Sequence, residues 1–249
     1  MNRRLASWLV ALLIVALPGE AFAGKAAFGE WAAAVVAGDW RGANGLRIDA
    51  FDNARRDLAD ALVGAGFDAA NIRQFSPDIR QGVHDATPDG LSKHWFELTK
   101  QAPAGCLLYV TSHGTPGKIV MGKRELKPRD IDFMLDFTCA DRPTVVVLSA
   151  CYSGSFIPAL AHANRLVVTA SRSDRSSFGC GSGFDYPVFD ACVLKALPKA
   201  SDFTALAHAT QSCVSAREKA EKLTPPSEPQ VSMGEDVAKL ISRLSLKPD

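Results

Sequence analysis

Two short segments of the 249-residue chain place a nucleophile and a base directly after apolar runs. His113 follows the run at 106–111, and Cys151 follows the run at 144–148. Each run has the length and composition of a buried strand, so both side chains are expected at strand ends. An imidazole that takes the proton of a thiol generates a nucleophile able to attack a carbonyl carbon. The pattern therefore predicts acyl-transfer chemistry in which Cys151 attacks and His113 moves protons.

The glycine that follows His113 supplies a further part of such a site. Gly114 has no side chain, so its backbone N–H is accessible to a substrate oxygen. Together with the N–H of Cys151, it is predicted to form an oxyanion hole. The structural alternative is that Cys151 is a small buried hydrophobe and His113 an ordinary loop residue. The occurrence of both residues at strand ends favours the catalytic interpretation.

The rest of the chain supplies the elements that would position these residues. Apolar runs alternate with segments of helical periodicity, and continuous apolar runs are typical of a parallel sheet covered on both faces. Strands are predicted at 31–37, 71–75, 106–111, 144–148, 165–169 and 230–233, with a hairpin near 118–123. Helices are predicted at 51–66, 91–100, 128–137, 186–197 and 203–223, with a last one ending near 244 and a loop over 76–90. We therefore predict a three-layer α/β/α sandwich with a mostly parallel central sheet, which binds ligands at the carboxyl ends of its strands.

Residues 1–23 have the pattern of a secretory signal peptide. Two arginines precede an apolar stretch at 9–17, and Ala-Phe-Ala at 21–23 is a cleavage site with small residues at both ends. An uncleaved anchor is the alternative, although the stretch is short for a bilayer span. We expect residues 24–249 to form a single domain that is exported to the periplasm or secreted. We also expect it to be monomeric and to have no integral membrane segment after cleavage.

The charge balance and the motifs exclude several classes of partner. With 28 Lys and Arg against 27 Asp and Glu, the net charge of +1 argues against a nucleic-acid partner bound through a basic surface. A hydrophobic content of 47% argues against intrinsic disorder. The sequence contains neither cysteine pairs with zinc spacing nor a complete phosphate-binding glycine loop. We therefore expect no metal and no other cofactor.

The six cysteines predict disulfide bonds, because an exported chain meets an oxidising compartment. Cys106 and Cys139 come at the N-terminal ends of the third and fourth predicted strands. If those strands are parallel neighbours, the two cysteines lie at one sheet edge, and a bridge between them is expected. Two separate buried thiols are the alternative. Among Cys180, Cys192 and Cys213 we expect one further pair, and the sequence does not select it.

The segments around the two candidate catalytic residues resemble a known family. The sequences TSHG at 111–114 and SACYSGS at 149–155 are similar to the histidine and cysteine motifs of the legumain family of cysteine peptidases, in the same order. The resemblance extends over about 32–190 and implies a bacterial-type exported member with a caspase-like fold. It implies a cysteine endopeptidase that cleaves proteins or peptides through an acyl-enzyme. That family includes the catalytic subunit of the glycosylphosphatidylinositol transamidase, so transpeptidation is an alternative.

The resemblance also suggests the residues around the catalytic pair. Asn53 resembles the asparagine that orients the catalytic histidine, and Arg55 resembles the arginine of the primary specificity pocket. Ser177, in a Ser-Ser-aromatic stretch, and Asp190 resemble residues that line that pocket. The structural alternatives are an N-terminal helix residue for Asn53, a solvated side chain for Arg55 and a first-turn helix charge for Asp190.

One position departs from the family pattern. Legumains carry an acidic residue two positions before the nucleophile, where this chain has Ser149. With one carboxylate fewer, the pocket is expected to accept polar residues such as Asn or Asp, with a broader or more acid-tolerant preference than a legumain shows. Two further functions fit the same residues. One is a catalytically idle binding or scaffold protein on this fold, and the other is an acyl hydrolase that uses the same Cys–His pair.

Overall fold

The structure is a computed structural model that describes residues 28–246 except 43, 80 and 81, so the predicted signal peptide at 1–23 lies outside the described residues. Hydrophobic runs in the sequence become the strands, and their bounds follow those runs closely. The strands are β1 (Trp31–Ala37), β2 (Ile72–Ser76), β3 (Val83–Asp85), β4 (Gly105–Thr111), β5 (Gly114–Thr115), β6 (Lys118–Met121), β7 (Arg124–Leu126), β8 (Thr144–Ser149), β9 (Arg165–Thr169) and β10 (Gln230–Met233).

Seven of these strands form one sheet in the order β10-β9-β8-β4-β1-β2-β3. Every neighbouring pair is parallel except the edge pair β9–β10, which is antiparallel. The strands β1, β4, β8 and β9 are buried along their whole length, as expected for parallel strands covered on both faces. The strands β5, β6 and β7 form a separate antiparallel sheet directly after β4.

Helices fill the connections between the parallel strands. They are α1 (Ala50–Gly64), α2 (Pro88–Gln101), α3 (Pro128–Thr138), α4 (Ile157–Leu160), α5 (Val188–Ala196), α6 (Phe203–Glu221) and α7 (Glu235–Ile241). Short 3-10 turns lie at Ala69–Asn71, Ser153–Phe156 and Leu197–Lys199. Among the described residues, no helix is both long enough and apolar enough to cross a bilayer.

The helices form two layers because side chains on a strand point alternately to its two faces. On one side, Leu58 of α1, Phe189 of α5 and Leu206 of α6 pack in one cluster with alternate residues of the sheet. On the other side, Trp95 of α2 and Leu135 of α3 pack with the intervening strand residues. The prediction of a three-layer α/β/α sandwich with a mostly parallel sheet is thereby confirmed.

The segment at 76–90 differs from its prediction as a loop, because it contains β3 and the first turn of α2. The local sequence explains the early start of α2. Thr87 caps the helix by accepting a hydrogen bond from Gly90 N at 3.1 Å, and Pro88 occupies the first helical position. The predicted hairpin near 118–123 is also larger than expected, since β5 adds a third strand to it.

Both expected disulfides are present. Cys106 and Cys139 are bonded, with their Cα atoms 6.3 Å apart, which confirms the bridge predicted at the sheet edge. The second pair is Cys192–Cys213, which joins α5 to α6. The sequence did not select this pair, because the partners depend on how α5 packs on α6. Cys151 and Cys180 are left as free thiols, both partly exposed.

Removing the Cys106–Cys139 bridge should destabilise the fold. The bridge closes a loop of 33 residues, so the double variant Cys106→Ala/Cys139→Ala is expected to lose about 3–4 kcal/mol of unfolding free energy. Urea denaturation under non-reducing conditions measures the change. Adding dithiothreitol to the wild type, which also opens the second bridge, is expected to destabilise it further. A loss below about 1 kcal/mol in the double variant would contradict this prediction.

Candidate active site

The pairing of β4 with β8 brings the two candidate catalytic residues to one edge of the sheet. Thr111 lies opposite Ser149 in a parallel register, and Ser112 N donates to Ser149 O at 3.0 Å just beyond the last pair. His113 and Cys151 each follow two residues after that pair. Since paired strands lie about 4.8 Å apart, the two loops begin side by side.

A sharp turn after β8 presents the Cys151 thiol. Tyr152, the next residue, has φ of 58° in the left-handed region, which is uncommon for a residue other than glycine. Its N–H donates to Arg175 O at 2.8 Å, and the Gly154 N–H donates to Ser171 O at 2.9 Å. Gly154 is required there, because a Cβ would lie 2.6 Å from Ser173 N. These contacts hold the turn against the loop that follows β9.

The groups around the Cys151 sulfur favour its thiolate form. A hydrogen bond from the Cys180 thiol lowers the pKa of Cys151 to about 6, against the opposing effect of burial. The backbone and hydroxyl of Ser177 and the nearby His113 lower the pKa further. The Ser177 N–H donates to Cys151 Sγ at 3.3 Å. In contrast, the pKa of Cys180 is raised well above its ordinary value, chiefly by its hydrogen bond to Cys151, so Cys180 is the protonated partner.

His113 is oriented by a backbone carbonyl. Its Nε2 lies 2.6 Å from Arg41 O. Since a carbonyl oxygen only accepts, Nε2 must carry a proton, and Nδ1 is then the basic nitrogen of the neutral ring. The ring also packs edge-on against Phe51, with centroids 5.0 Å apart. This arrangement leaves one defined nitrogen of His113 free to accept a proton.

The turn after β1 holds that carbonyl in place. The buried Asp39 carboxylate accepts from Trp40 N at 2.8 Å, from Arg41 N at 3.1 Å and from Arg41 Nε at 2.9 Å. Gly38 allows the turn to touch β6, because a Cβ at this position would lie 2.2 Å from Val120 O. Sequence reasoning missed both Asp39 and Arg41. The only available signal was the Gly-Asp pair directly after a strand.

Asn53 does not take the position expected for the residue that orients His113. It lies in the first turn of α1, and its side-chain amide donates to Asp185 O at 3.2 Å. The carbonyl of Arg41 makes the contact with the His113 ring instead. The physical reason is that α1 presents Phe51 to the His113 ring, while Asn53, two residues later, faces the loop that contains Asp185.

Arg55 of α1 is already bound by Asp52 of the same helix and by Gln74 of β2. Its side chain is only 6% exposed and donates to both carboxylate oxygens of Asp52, at 2.9 and 3.2 Å. It also donates to Gln74 Oε1 on β2. The alternative of a solvated side chain is therefore wrong. The guanidinium is therefore already neutralised by Asp52.

Asp190 is fully buried beneath the ends of β4 and β8. It accepts from Tyr109 Oη at 2.5 Å and from Thr111 Oγ1 at 2.6 Å. Burial raises the pKa of Asp190 to about 6, and the hydroxyl groups of Thr111, Tyr109 and Ser149 oppose that rise. Ser149 itself is 2% exposed, and its Oγ makes no hydrogen bond of normal geometry to the described residues. Both residues lie under the site and have almost no solvent-accessible surface.

Gly114 has the geometry expected of an oxyanion-hole residue. It lies opposite Ile119 in the β5–β6 pair, and the neighbouring bond from Val120 N to His113 O makes this a non-hydrogen-bonded pair. The Gly114 N–H therefore points away from β6. A Cβ on Gly114 would lie 2.3 Å from Cys151 O, so the two loops are in close contact here. The Cys151 N–H is likewise free of hydrogen bonds to the described residues.

Ser155 ties the histidine loop to the cysteine loop. Its Oγ accepts from Gly117 N at 3.0 Å and donates to Tyr152 O at 2.6 Å. The hydroxyl thus bridges the tip of the β5–β6 hairpin and the turn that carries Cys151. This bridge fixes the spacing of the loops independently of the sheet.

One group of potential metal ligands occurs among the described residues, away from this site. Oxygen and nitrogen atoms of Asp132, Asp136 and His162 lie within 4.8 Å of one another. The buried Arg165 guanidinium already donates to Asp132 at 2.7 Å and to Asp136 at 2.5 Å. These carboxylates therefore already have a cation between them.

Comparisons with known proteins agree with this fold. Residues 98–214 match the model of the Peptidase C13 family, which is the legumain family, and this span contains both His113 and Cys151. The structure is similar to the crystal structure of caspase-1 from Spodoptera frugiperda, with a TM-score of 0.59 and 15% identity over 84% of this chain and 88% of that chain. A search of curated proteins finds no significant match. The fold is therefore caspase-like, and the family match supports a cysteine peptidase related to legumain.

The lowered pKa of Cys151 should be visible in its alkylation. We expect the rate of Cys151 modification by iodoacetamide to reach half its maximum near pH 6, compared with about 8.5 for a free cysteine. Mass spectrometry of the peptide that contains Cys151 separates it from Cys180. A midpoint above about pH 8 would show that the thiolate is not stabilised.

The buried Asp190 should make stability depend on pH. Its pKa is raised from 3.8 to about 6 in the folded protein, so its protonated form is favoured by folding. This contribution is fully present below about pH 4 and is lost as the pH rises through about 6, a loss of about 3 kcal/mol. Urea denaturation from pH 4 to 7 should show this loss in the wild type.

The neutral variant Asp190→Asn provides the comparison. It should show a flatter dependence of unfolding free energy on pH over the same range, because the titrating group is absent. The matched control is Asp174→Asn, since the exposed Asp174 has a pKa of about 2 that lies below this window. Parallel curves for the wild type and Asp190→Asn would mean that the Asp190 pKa is not raised.

Proposed function

We propose that this protein is an exported cysteine endopeptidase in which Cys151 is the nucleophile and His113 transfers the protons. The observation that carries the proposal is the Cys151 sulfur, which accepts from Ser177 N at 3.3 Å, at the same sheet edge as a histidine of fixed tautomer. Hydrogen bonds from Ser177 and Cys180 keep the sulfur charged, and the Arg41 carbonyl leaves the basic nitrogen of His113 available. A buried structural cysteine would have no need of either arrangement.

The reaction begins with attack of the Cys151 sulfur on the carbonyl carbon of the scissile peptide bond. The oxygen that becomes negative accepts hydrogen bonds from the N–H groups of Gly114 and Cys151. His113, protonated when the thiolate forms, gives its proton to the leaving amine, and the acyl-enzyme thioester remains. His113 then takes a proton from water as the water attacks the thioester. The C–S bond breaks, the carboxylic acid product leaves, and the Cys151 thiolate and the protonated His113 are regenerated.

The preferred residue at the scissile position is proposed to be polar and uncharged, with Asn favoured over Asp. The Ser177 hydroxyl lies 3.7 Å from Cys151 Sγ and is the proposed polar group of the pocket, whereas the buried Ser149 lies beneath it. An Asp side chain would need a cation, and the Arg55 guanidinium is already paired with Asp52. This proposal therefore replaces the acid-tolerant preference expected from the sequence. Asp190 is screened by two hydroxyl donors, so its direct contribution to the pocket is small.

Export is supported by the two disulfides and by the signal-like pattern at 1–23. The periplasm or the exterior of the cell would keep these bonds oxidised. We propose a monomer as the active form, because the pairing of β4 with β8 brings His113 and Cys151 to one sheet edge within a single chain. Protein or peptide substrates follow from the proposed peptidase activity.

Peptide cleavage by the protein expressed without residues 1–23 tests the proposal. A peptide library with every residue type at the scissile position should be cleaved by the wild type. Cys151→Ala should reduce cleavage below detection, and His113→Ala should reduce kcat/KM by about 10²–10⁴-fold. Gly114→Ala should also be strongly impaired, because its Cβ would lie 2.3 Å from Cys151 O.

The exposed His208 of α6 provides a matched control. His208→Ala should retain the activity of the wild type. Cleavage by Cys151→Ala within about tenfold of the wild type would exclude Cys151 as the nucleophile. An inactive wild type whose Cys151 does not react with alkylating reagents would support the idle scaffold. Transfer of the acyl group to an added amine in preference to water would support the transpeptidase, and hydrolysis of thioesters without peptide cleavage would support the acyl hydrolase.

A further inference from the structure

Gly114 lies on a hairpin that is separate from the central sheet. The strands β5, β6 and β7 of this hairpin pair only with one another among the described residues. At its base the hairpin is attached to the end of β4, because Ser112 Oγ donates to Val120 O at 2.8 Å. A hairpin held only at its base can pivot about that point. The angle of Gly114 against the cysteine loop therefore depends on what holds the hairpin tip.

The turn at this tip has one N–H group that it does not use itself. Pro116 and Gly117 join β5 to β6, and Gly117 has φ of 73°. Proline followed by a glycine of positive φ is the combination typical of a type II turn, whose internal hydrogen bond uses the N–H of the residue after this pair. Proline itself has no N–H. The Gly117 N–H is therefore the group left for a partner outside the hairpin.

The Ser155 hydroxyl is that partner, and it comes from the cysteine loop. Gly117 N donates to Ser155 Oγ at 3.0 Å, and the hydroxyl donates to Tyr152 O at 2.6 Å. Ser155 N also donates to Tyr152 O at 3.0 Å, so the serine is held within the turn that follows Cys151. A serine hydroxyl offers one donor and two acceptor sites, and both functions are used here. An alanine at this position would leave the hairpin tip without its bond to the cysteine loop.

We propose that Ser155 is a positioning residue of the oxyanion hole, which sets the direction of the Gly114 N–H relative to the Cys151 N–H by holding the hairpin tip. The inference rests on the proposed function, since both N–H groups act on the oxygen of the substrate carbonyl. The loops are already in close contact, because a Cβ on Gly114 would lie 2.3 Å from Cys151 O. Oxyanion donors work at about 2.7–3.1 Å, and a misplacement of about 1 Å can lower a rate by about 10²-fold.

Two reactions of the same sulfur separate this role from general support of the fold. Alkylation by iodoacetamide joins Cys151 Sγ to a CH₂ carbon, displaces iodide and forms no oxyanion. Addition of the thiolate to the carbonyl carbon of a peptide aldehyde gives a tetrahedral adduct whose oxygen occupies the oxyanion hole. Loss of the Ser155 hydroxyl should therefore weaken the aldehyde adduct and leave the alkylation rate unchanged. A variant that has lost its thiolate or its local fold would be slowed in both reactions.

The test compares Ser155→Ala with Ser155→Thr, which keeps the hydroxyl. In Ser155→Ala we expect kcat for a peptide substrate to fall by about 10–100-fold, with KM within about threefold of the wild type. The inhibition constant of a peptide aldehyde should rise by about tenfold or more, while the iodoacetamide rate at Cys151 changes by less than about twofold. Amide hydrogen exchange over 114–121, measured by mass spectrometry, should become faster. Ser155→Thr should resemble the wild type in each measurement.

The matched control is Ser76→Ala at the end of β2, which β1 separates from β4. The Ser76 hydroxyl accepts from Asp78 N at 3.1 Å, so this variant loses a similar hydrogen bond and should keep the kcat of the wild type. An active wild type whose Ser155→Ala variant keeps its kcat and its aldehyde inhibition would overturn this inference alone. Equal losses in alkylation and aldehyde binding, or a Ser155→Thr variant as impaired as Ser155→Ala, would also overturn it. A wild type that neither cleaves peptides nor binds the aldehyde would overturn the proposed function and this inference with it.

Discussion

The parallel pairing of β4 with β8 is the constraint on which the proposed site depends. Thr111 lies opposite Ser149, so His113 and Cys151 leave the sheet at the same level. A slip of one residue would move one loop by about 3.3 Å and exchange the two faces of a strand. Both faces of β4 are packed, with Tyr109 in one hydrophobic cluster and Val110 in the other. The packing that fixes the fold therefore also fixes the spacing of base and nucleophile.

Asp190 holds the same register from the helical layer. Its carboxylate spans Tyr109 and Thr111, which lie two residues apart and point to one face of β4. Two hydroxyl donors replace only part of the hydration that the carboxylate loses, which is why its pKa rises. A tight cluster of this kind maintains α5 against the strand end that carries the histidine loop. The sequence alone does not show whether an acidic residue in the first turn of a helix, such as Asp190, binds a substrate or hydrogen-bonds to a neighbouring strand.

Local pattern was sufficient for most of the fold, because continuous apolar runs and helical periodicity are properties of neighbouring residues. It was also sufficient to place His113, Gly114 and Cys151 together, since strand ends of a parallel sheet share one edge. It failed where a partner comes from a distant element. The Arg41 carbonyl that contacts His113 is a backbone atom, which every residue type provides. The partners of Arg55 depend on how α1 packs beside β2, and no spacing in the sequence encodes that contact.

The lowered pKa of Cys151 has a modest effect on the attack step and a larger effect on the later steps of turnover. At pH 7, a fall in the pKa of Cys151 from 9.0 to about 6 raises the thiolate fraction from about 1% to about 90%. The intrinsic nucleophilicity falls at the same time, by about 30-fold for a Brønsted slope near 0.5. The net gain in attack is then only about threefold. The stabilised sulfur is, however, a better leaving group when water attacks the acyl-enzyme, and it is the form that reacts with disulfides. The hydrogen bonds that lower the pKa of Cys151, including the one from Ser177 N at 3.3 Å, therefore link turnover of the thioester to sensitivity of the nucleophile to oxidation.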